Sequence, residues 1–255
     1  MQIVSATEPT PGAINEDFVM AGATWAFILD GATEHPDVDT GCIHDVPWFV
    51  SHLGAELARL LATAPDRHLD DTLADAITAT RRPHERTCDL DNPDSPSATV
   101  VAVRARNGQL DYLTLADSPL IIDHNGQIDP IVDDRTAHLS DYSVDGVRAA
   151  RNTPGGFYVA STQPDAAYHA VRGSLPAADV RRAALLSDGA ARLVERFRLA
   201  DWSNLLDLLA REGPEELIRR TRKAELDESE RERARRRGKK HDDATAVLVS
   251  HLDEA

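Results

Sequence analysis

The alternation of apolar and polar positions predicts a chain that begins and ends with β-strands. Several short runs rich in Val, Ile, Leu and Thr have the length and composition of strands. They cover residues 2–5, 18–21, 25–29, 98–105, 110–116, 120–122, 157–160, 183–186 and 244–250. Asn107-Gly108 lies between two of these runs and Asn125-Gly126 follows another, and Asn-Gly favours tight hairpins because both residues tolerate positive φ. We therefore expect much of the sheet to be antiparallel.

Helical spacing of apolar residues separates the early strands from the later ones. Phe49, Leu53 and Leu57 share one face after Pro47, which predicts a helix over 48–63. A second helix is predicted over 69–82, and the two look like an antiparallel pair. Later helices are predicted over 190–198, 202–211 and from 215 to about 237. This order fits an α+β fold in which helices cover sheet faces.

One long stretch, residues 133–154, has only weak periodicity and ends at Pro154-Gly155-Gly156. Long connections of this kind are either functional covers or disordered inserts. We keep both readings for this segment: a lid over a site, or an insert without a fixed structure. Otherwise the pattern predicts a single domain over residues 1–255.

Charge and composition narrow the class of protein. Lys and Arg total 28 against 43 Asp and Glu, and the formal net charge of -15 opposes non-specific binding to nucleic acid or to an anionic membrane. The first residues show no basic region followed by an apolar run, as a secretion signal would, and nowhere do 18 consecutive apolar residues appear. Cys42 and Cys88 make no disulfide framework. We expect a soluble, cytoplasmic protein whose surface favours cations.

Acidic residues stand where apolar strands begin or end. The segments are Asn15-Glu16-Asp17, Leu29-Asp30-Gly31, Ala116-Asp117-Ser118, Ser187-Asp188-Gly189 and Asp242-Asp243. One acid in such a place is ordinarily a cap or turn residue. If the strand ends converge, however, the carboxylates would repel one another, and a bound divalent cation would remove that conflict.

The chemistry of these donors indicates which ion they would hold. Hard oxygen ligands without His/Cys ligand spacing favour Mg²⁺ or Mn²⁺ over zinc. Two such ions about 3.5–4 Å apart can share a water, lower its pKa and align it with a phosphorus atom. The residues therefore predict metal-assisted hydrolysis of phosphoesters.

The order of the motifs resembles that of a known enzyme family. Asn15-Glu16-Asp17, Asp30-Gly31, Ser97-Ala98-Thr99, Ala116-Asp117-Ser118, Ser187-Asp188-Gly189 and Asp242-Asp243 look like the successive motifs of the PPM/PP2C-type metal-dependent protein serine/threonine phosphatases. Each motif alone is weak, whereas their order is fairly specific and covers nearly the whole chain. The sequence is similar to a divergent bacterial member.

The resemblance implies a PP2C-like α-β-β-α sandwich, with two antiparallel sheets flanked by helix pairs and a dimetal site at one edge. It makes Asp30 and Asp17 the candidate catalytic residues, with Asp30 bridging two Mn²⁺ or Mg²⁺ ions and Asp17 behind it. The implied metal ligands are Glu16, Asp30, the Gly31 carbonyl, Asp188 and Asp242, with Asp117 and Asp188 holding a third, looser ion. The implied substrate is a phosphoserine or phosphothreonine protein, and a small phosphorylated metabolite remains open.

Two departures from the family pattern leave the activity open. Gly12 stands where an arginine usually grips the substrate phosphate, and Ala32 stands where many eukaryotic members have a histidine after Asp-Gly. His35 and His44 are near enough in sequence to contact substrate instead, although a lone histidine is more often structural. The alternatives are a catalytically silent metal-binding regulatory module and a small-molecule phosphatase with an unusual substrate.

Two further segments carry chemistry-bearing side chains. Cys42-Ile43-His44 could be a metal or nucleophile pair, but no arginine lies six residues after either cysteine, so packing is favoured for Cys42. The basic run over 231–240 is favoured as a solvated helix end. Because it lies just before Asp242, it could also bring positive charge to the rim of the predicted site.

Overall fold

In the part of the chain that the structure describes, two antiparallel sheets of five strands each form the centre of the molecule. The structure is a computed structural model, and it describes residues 1–32, 37–233 and 239–252. The strands are β1 Gln2–Glu8, β2 Asp17–Ala21, β3 Trp25–Gly31, β4 Ala98–Arg106, β5 Gln109–Leu115, β6 Leu120–His124, β7 Gln127–Ile131, β8 Val171–Pro176, β9 Val180–Leu186 and β10 Ala244–Ser250. The helices are α1 Val46–Thr63, α2 Leu69–Arg81, α3 Val144–Ala150, α4 Asp188–Glu195, α5 Trp202–Glu212, α6 Pro214–Asp227 and α7 Glu230–Arg233.

The strand order in the sheets confirms the predicted antiparallel pairing. One sheet has the order β1-β10-β9-β6-β7 and the other the order β2-β3-β4-β5-β8. Both Asn-Gly pairs form tight turns with positive φ at each residue: 49° and 71° at Asn107 and Gly108, and 50° and 83° at Asn125 and Gly126. These turns join β4 to β5 and β6 to β7, as the sequence predicts.

Alternate residues of β3 show how the layers are built. Trp25, Phe27 and Leu29 pack with buried residues of α1 and α2, whereas Ala26 and Ile28 pack with residues of the other sheet. On the far side, the outer face of the β1-β10-β9 sheet packs against α4, α5 and α6. The fold is therefore the four-layered α-β-β-α sandwich that the resemblance implies.

Several local predictions differ from the structure. Residues 157–160 form only isolated bridges, one of them between Ala98 and Ala160. Strands β7 and β8 are additional, and both lie at sheet edges, where exposed polar residues and Pro130 weaken the strand pattern. The segment 133–154 contains the short 3₁₀ helix Asp134–His138 and helix α3. The long basic helix stops at Asp227 and resumes only as α7, and residues 234–238 lie outside the described chain.

No helix within the described residues combines the length and the apolar composition that a membrane span requires.

Candidate active site

Two of the predicted acids face each other across neighbouring strands. Asp17 on β2 pairs directly with Asp30 on β3 in the antiparallel register. Directly opposite residues lie on the same face of a sheet, about 4.5–5.5 Å apart at Cβ. The Thr245 hydroxyl donates to Asp17 Oδ2 at 2.6 Å, while the buried Oδ1 of Asp17 has no hydrogen-bond partner in the described part of the chain. The strand register thus holds two carboxylates together and leaves one oxygen without a donor.

The start of helix α4 brings a third acid to this pair from the other sheet. The backbone N–H of Asp188 donates to Asp30 Oδ2 at 3.0 Å. Asp188 is the first residue of α4, so the bond uses an amide that has no partner within the helix. Gly189 permits the approach, because a Cβ there would lie 1.8 Å from the carbonyl oxygen of Asp243. Distant parts of the sequence therefore meet at one edge of the sandwich.

The Asp242-Asp243 pair contributes one acid to the site and one to the loop beside it. Asp243 Oδ1 accepts from the Thr10 N–H and Oδ2 from the Glu16 N–H, each at 2.6 Å. Asp243 thereby positions Glu16, whose carbonyl accepts from the Gly31 N–H at 3.2 Å. Gly31 is needed there, because a Cβ would lie 2.5 Å from that carbonyl oxygen. The structure thus places Glu16 and Gly31 side by side, next to Asp30.

An arginine that the sequence analysis missed holds Asp242. Arg192 Nη2 donates to Asp242 Oδ2 at 2.8 Å, and its Nη1 donates to the fully buried Glu225 at 2.7 Å. Lys239 Nζ lies 3.4 Å from the other oxygen of Asp242, so the basic run does bring charge to the rim. No local motif distinguishes Arg192, because its partners Asp242 and Glu225 are 50 and 33 positions away and meet it only through the packing of α4.

The pKa values of the acids reflect their burial and the charges of neighbouring carboxylates. Burial, followed by the charge of Asp242, raises the pKa of Asp188 from an ordinary 3.8 to about 7. Burial likewise raises the pKa of Asp17 to about 7, with Asp243 adding repulsion. The pKa of Asp30 is raised well above its ordinary value by burial and then by Asp17 and Asp188. The Asp188 side chain nevertheless reaches solvent, so an ion could approach this acid from outside.

Asp117 lies near this group but approaches from the β5–β6 turn. The preceding Ala116 is buried and has φ of 63°, a left-handed conformation that L-residues other than Asn and Asp rarely adopt. Its N–H donates to Asp133 Oδ2 at 3.1 Å, which helps to fix the turn. The pKa of Asp117 is raised, chiefly by burial, and the Asp117 charge contributes to the raised pKa values of Asp30 and Asp188. The strained turn thus directs Asp117 towards the other acids.

A cleft of about 680 Å³ adjoins Asp117. Its lining includes Ala32, Arg151 and Glu195, together with residues of the segment 133–154. Burial and then the Asp117 charge raise the pKa of Glu195 to about 7. Neither Glu195 nor Arg151 was a candidate from the sequence, because nothing in their local motifs distinguishes them from other helix and loop charges.

The structure describes only one of the two histidines that were predicted to contact substrate. His35 lies outside the described residues. His44 Nδ1 lies 3.5 Å from Cys88 Sγ and 3.6 Å from Cys42 Sγ, and its ring stacks on Trp48. The structure thus places His44 in a Cys/His group rather than beside the acids, and its role towards substrate stays a prediction. Gly12 occupies an open turn with φ of 83°.

Comparisons with known proteins agree with the fold and with the family that the motifs resemble. The family model described as protein phosphatase 2C matches residues 10–229. A sequence comparison with curated proteins gives no significant match. Among solved structures, the chain is similar to the PPM Ser-Thr phosphatase MsPP from Mycobacterium smegmatis, at 19% identity, 98% coverage of both chains and a TM-score of 0.59.

Two further structures have the same fold. The serine/threonine phosphatase PstP/Ppp of Mycobacterium tuberculosis is 19% identical, with 98% of this chain and 97% of that chain covered and a TM-score of 0.62. The PstP catalytic domain in complex with two manganese ions is 18% identical, with the same coverage and a TM-score of 0.60. The two sheets, their helices and the edge lined with acids define a phosphatase-like sandwich. The chain belongs to the protein phosphatase 2C family.

Proposed function

We propose that this protein is a metal-dependent phosphatase that hydrolyses phosphomonoesters at the edge where β3 and α4 meet. The observation that carries the proposal is the bond from the Asp188 N–H to Asp30 Oδ2, because it joins acids separated by more than half the chain. Membership of a phosphatase family supports the reaction class. We further propose that residues 1–255 form one catalytic domain, with the segment 133–154 as a lid beside the cleft.

The donor set fits divalent ions. Asp17, Asp30 and Asp188 have raised pKa values in the protein without ions, and Asp17 Oδ1 is buried without a partner. Neutralisation by cations would relieve both features, and carboxylate oxygens suit Mn²⁺ or Mg²⁺. The residues that would hold two ions are Glu16, Asp30, the Gly31 carbonyl, Asp188 and Asp242, with Asp117 available to a third. The two manganese ions in the related PstP domain support that number.

Bound ions would supply a nucleophilic water at neutral pH and neutralise the phosphoryl charge. Neighbouring residues hold the carboxylates of this site in place. Arg192 fixes the Asp242 carboxylate by a hydrogen bond of 2.8 Å, and Thr245 fixes Asp17 by one of 2.6 Å. Asp17 would thus act through its neighbour Asp30, as a positioning residue that also shares the site's negative charge.

Arg151 is our candidate for the cation that replaces the missing arginine at Gly12. It borders the cleft with Asp117, and its bonds to Pro93 O and Ser97 Oγ are long, at 3.3 and 3.5 Å. Its Nε is buried without a hydrogen-bond partner among the described residues. A phosphate in the cleft would therefore meet a guanidinium that the protein holds only by long hydrogen bonds. Arg151→Lys and Arg151→Ala should raise KM for an aryl phosphate by about tenfold with a smaller effect on kcat, and an unchanged KM would remove the assignment.

Membership of the family indicates the chemical class of the substrate, a phosphomonoester, but not the particular substrate. Phosphoserine or phosphothreonine in a protein is the default, and a small phosphorylated metabolite fits the same chemistry. A catalytically silent metal-binding module is the competing function, and Gly12, Ala32 and the engagement of Asp242 by Arg192 favour it.

Turnover distinguishes these functions. The purified chain should hydrolyse a generic aryl phosphate with Mn²⁺ and lose that activity with a chelator. Asp30→Asn and Asp188→Asn should each lower kcat by at least about a hundredfold. Asp227→Asn is the matched control, because that exposed carboxylate lies in an ion pair with Lys223 on α6. Mn²⁺ binding in calorimetry without turnover on any phosphoester would support the silent module, and undiminished turnover in both site variants would defeat the phosphatase assignment.

A further inference from the structure

A second group of potential metal ligands lies outside the acidic site. It consists of two thiols and two imidazoles, and we call it the Cys/His cluster: Cys42, His44, His84 and Cys88. The first two residues precede α1, and the last two follow α2. One ligand atom from each side chain lies within 4.8 Å of the corresponding atoms of the other three. All four side chains therefore point at a common centre.

The sulfur–nitrogen distances in the cluster correspond to those around a tetrahedral ion. Cys42 Sγ lies 3.6 Å from Nδ1 of both His44 and His84, and Cys88 Sγ lies 3.5 Å from His44 Nδ1. With Zn–S of about 2.3 Å and Zn–N of about 2.0–2.1 Å, tetrahedral angles give S···N separations of about 3.5 Å. The two sulfurs are 2.9 Å apart, which is shorter than the roughly 3.8 Å expected around zinc and well beyond a disulfide bond of about 2.05 Å.

The surroundings resemble those of a structural site. Trp48 stacks on His44 with ring centroids 3.9 Å apart and lies against His84 at 5.1 Å, so an indole covers both imidazoles. His84 is only 2% exposed, and its Nε2 has no hydrogen-bond partner in the described residues. A weak contact with one sulfur compensates little for burying this ring. A metal bond to Nδ1, the nitrogen that faces the Cys42 sulfur, would give this ring a strong partner at the cluster while Nε2 stays unpaired.

We propose that the Cys/His cluster binds one structural Zn²⁺. Thiolate and imidazole ligands suit zinc, and four protein ligands leave no open position for catalysis. A disulfide between the cysteines would use only two of the four converging side chains. This inference does not depend on the phosphatase activity, because none of the four ligands belongs to the acidic site.

The site would tie two loops to the ends of the α1–α2 pair. The backbone of these loops already meets where the Asp89 N–H donates to Gly41 O at 2.8 Å. His44 lies two residues before Val46, and a Cβ on Gly31 would be 2.4 Å from Val46 Cγ1. Zinc would therefore support the packing behind Asp30-Gly31 without contacting substrate.

The test measures metal in the purified full chain, kept in Mn²⁺ so that the acidic site is saturated. Elemental analysis should find about one Zn²⁺ per chain. Replacement by Co²⁺ should give the visible absorption of a tetrahedral ion together with a thiolate charge-transfer band, which carboxylates cannot produce. Cys88→Ser and His84→Asn should abolish the charge-transfer band or reduce it at least about tenfold. His52→Gln is the matched control, because His52 also stacks on Trp48 but is not part of the cluster.

The wild type alone can overturn the proposal if the variants fail to fold. Zinc-free protein with two alkylatable thiols would overturn it, as would a mass two hydrogens lower that shows a Cys42–Cys88 disulfide. Asp188→Asn should keep both the zinc and the cobalt band. Loss of both the zinc and the band in a folded Asp188→Asn protein would show that metal binding requires the acidic site and would contradict the assignment.

Discussion

The acidic site and the Cys/His cluster are two candidate metal centres built in different ways. The acidic site takes its donors from strand ends and from the first turn of α4, and hydrogen bonds within the protein already hold them: Asp188 N–H to Asp30, and Arg192 to Asp242. The Cys/His cluster takes its donors from two loops, over 37–45 and 84–97, that contain no helix or strand in the described chain. Sheet and helix place the acids, whereas in the cluster a metal would have to place the loops.

The two sites also differ in charge. The acids repel one another, which contributes to the raised pKa values of Asp17, Asp30 and Asp188. The Cys/His cluster combines soft donors that suit a tightly held ion. The acidic site should therefore retain its shape when its ions leave and should exchange them readily. The Cys/His cluster should depend on its ion for order.

Substitutions in the two sites should differ most in how far they lower kcat. Asp242→Asn should lower kcat with Mn²⁺ by at least about a hundredfold, because it removes a charged ligand. Cys88→Ser should lower kcat by less than about tenfold at room temperature, because the cluster acts only through packing behind Gly31. Steady-state kinetics of both variants, with circular dichroism as the check of folding, measures the contrast. Equal losses in the two variants would mean that the regions are not functionally separate.

The two sites also differ in how far each could be predicted from the sequence. The acidic site was predictable because acids end apolar strands, and strand ends meet at one edge of a sandwich. The sequence alone did not indicate Arg192 or Glu195, because their partners are set by how α4 packs. The local spacing of His and Cys did not indicate the Cys/His cluster, because Cys42 and Cys88 are 46 positions apart and lie close together only in the folded chain.

A signal for the Cys/His cluster was nevertheless present. Two consecutive helices over 48–63 and 69–82 were predicted as an antiparallel pair, and such a pair brings the residues before the first helix next to those after the second. His44 and His84 are such residues. The strands β7 and β8 were harder to predict, because edge strands bury little and need no regular apolar alternation.

Substitution of one glycine beside each site should have a smaller effect, which is on the free energy of unfolding. Gly189→Ala should destabilise the fold by about 3 kcal/mol, because the new Cβ would lie 1.8 Å from a backbone oxygen of Asp243 that cannot move freely. Gly41→Ala should cost about 1 kcal/mol, because its φ is 66° and the nearest atom is the side chain of Asn92 at 2.9 Å. Chemical denaturation gives both values. A larger loss for Gly41→Ala would show that the loops of the Cys/His cluster are the more rigid region.

The smallest effect is the pH dependence of stabilisation by Mn²⁺. In the metal-free protein, Asp17 and Asp188 have folded-state pKa values of about 7 against an ordinary 3.8. Between these values the folded chain binds more protons than the unfolded chain, so the free energy of unfolding falls as pH rises towards 7. Bound ions require ionised carboxylates and compete with those protons. The rise in Tm on adding Mn²⁺ should therefore be several degrees larger at about pH 7.5 than at about pH 5.5.

Thermal melts at both pH values, with and without Mn²⁺, measure this difference. Asp188→Asn should flatten it, because that variant lacks one of the acids with a raised pKa, whereas His84→Asn should leave it in place. The same rise in Tm at both pH values would mean that the crowded acids are already ionised in the empty site. The repulsion that distinguishes the acidic site from the Cys/His cluster would then be too weak to govern metal binding.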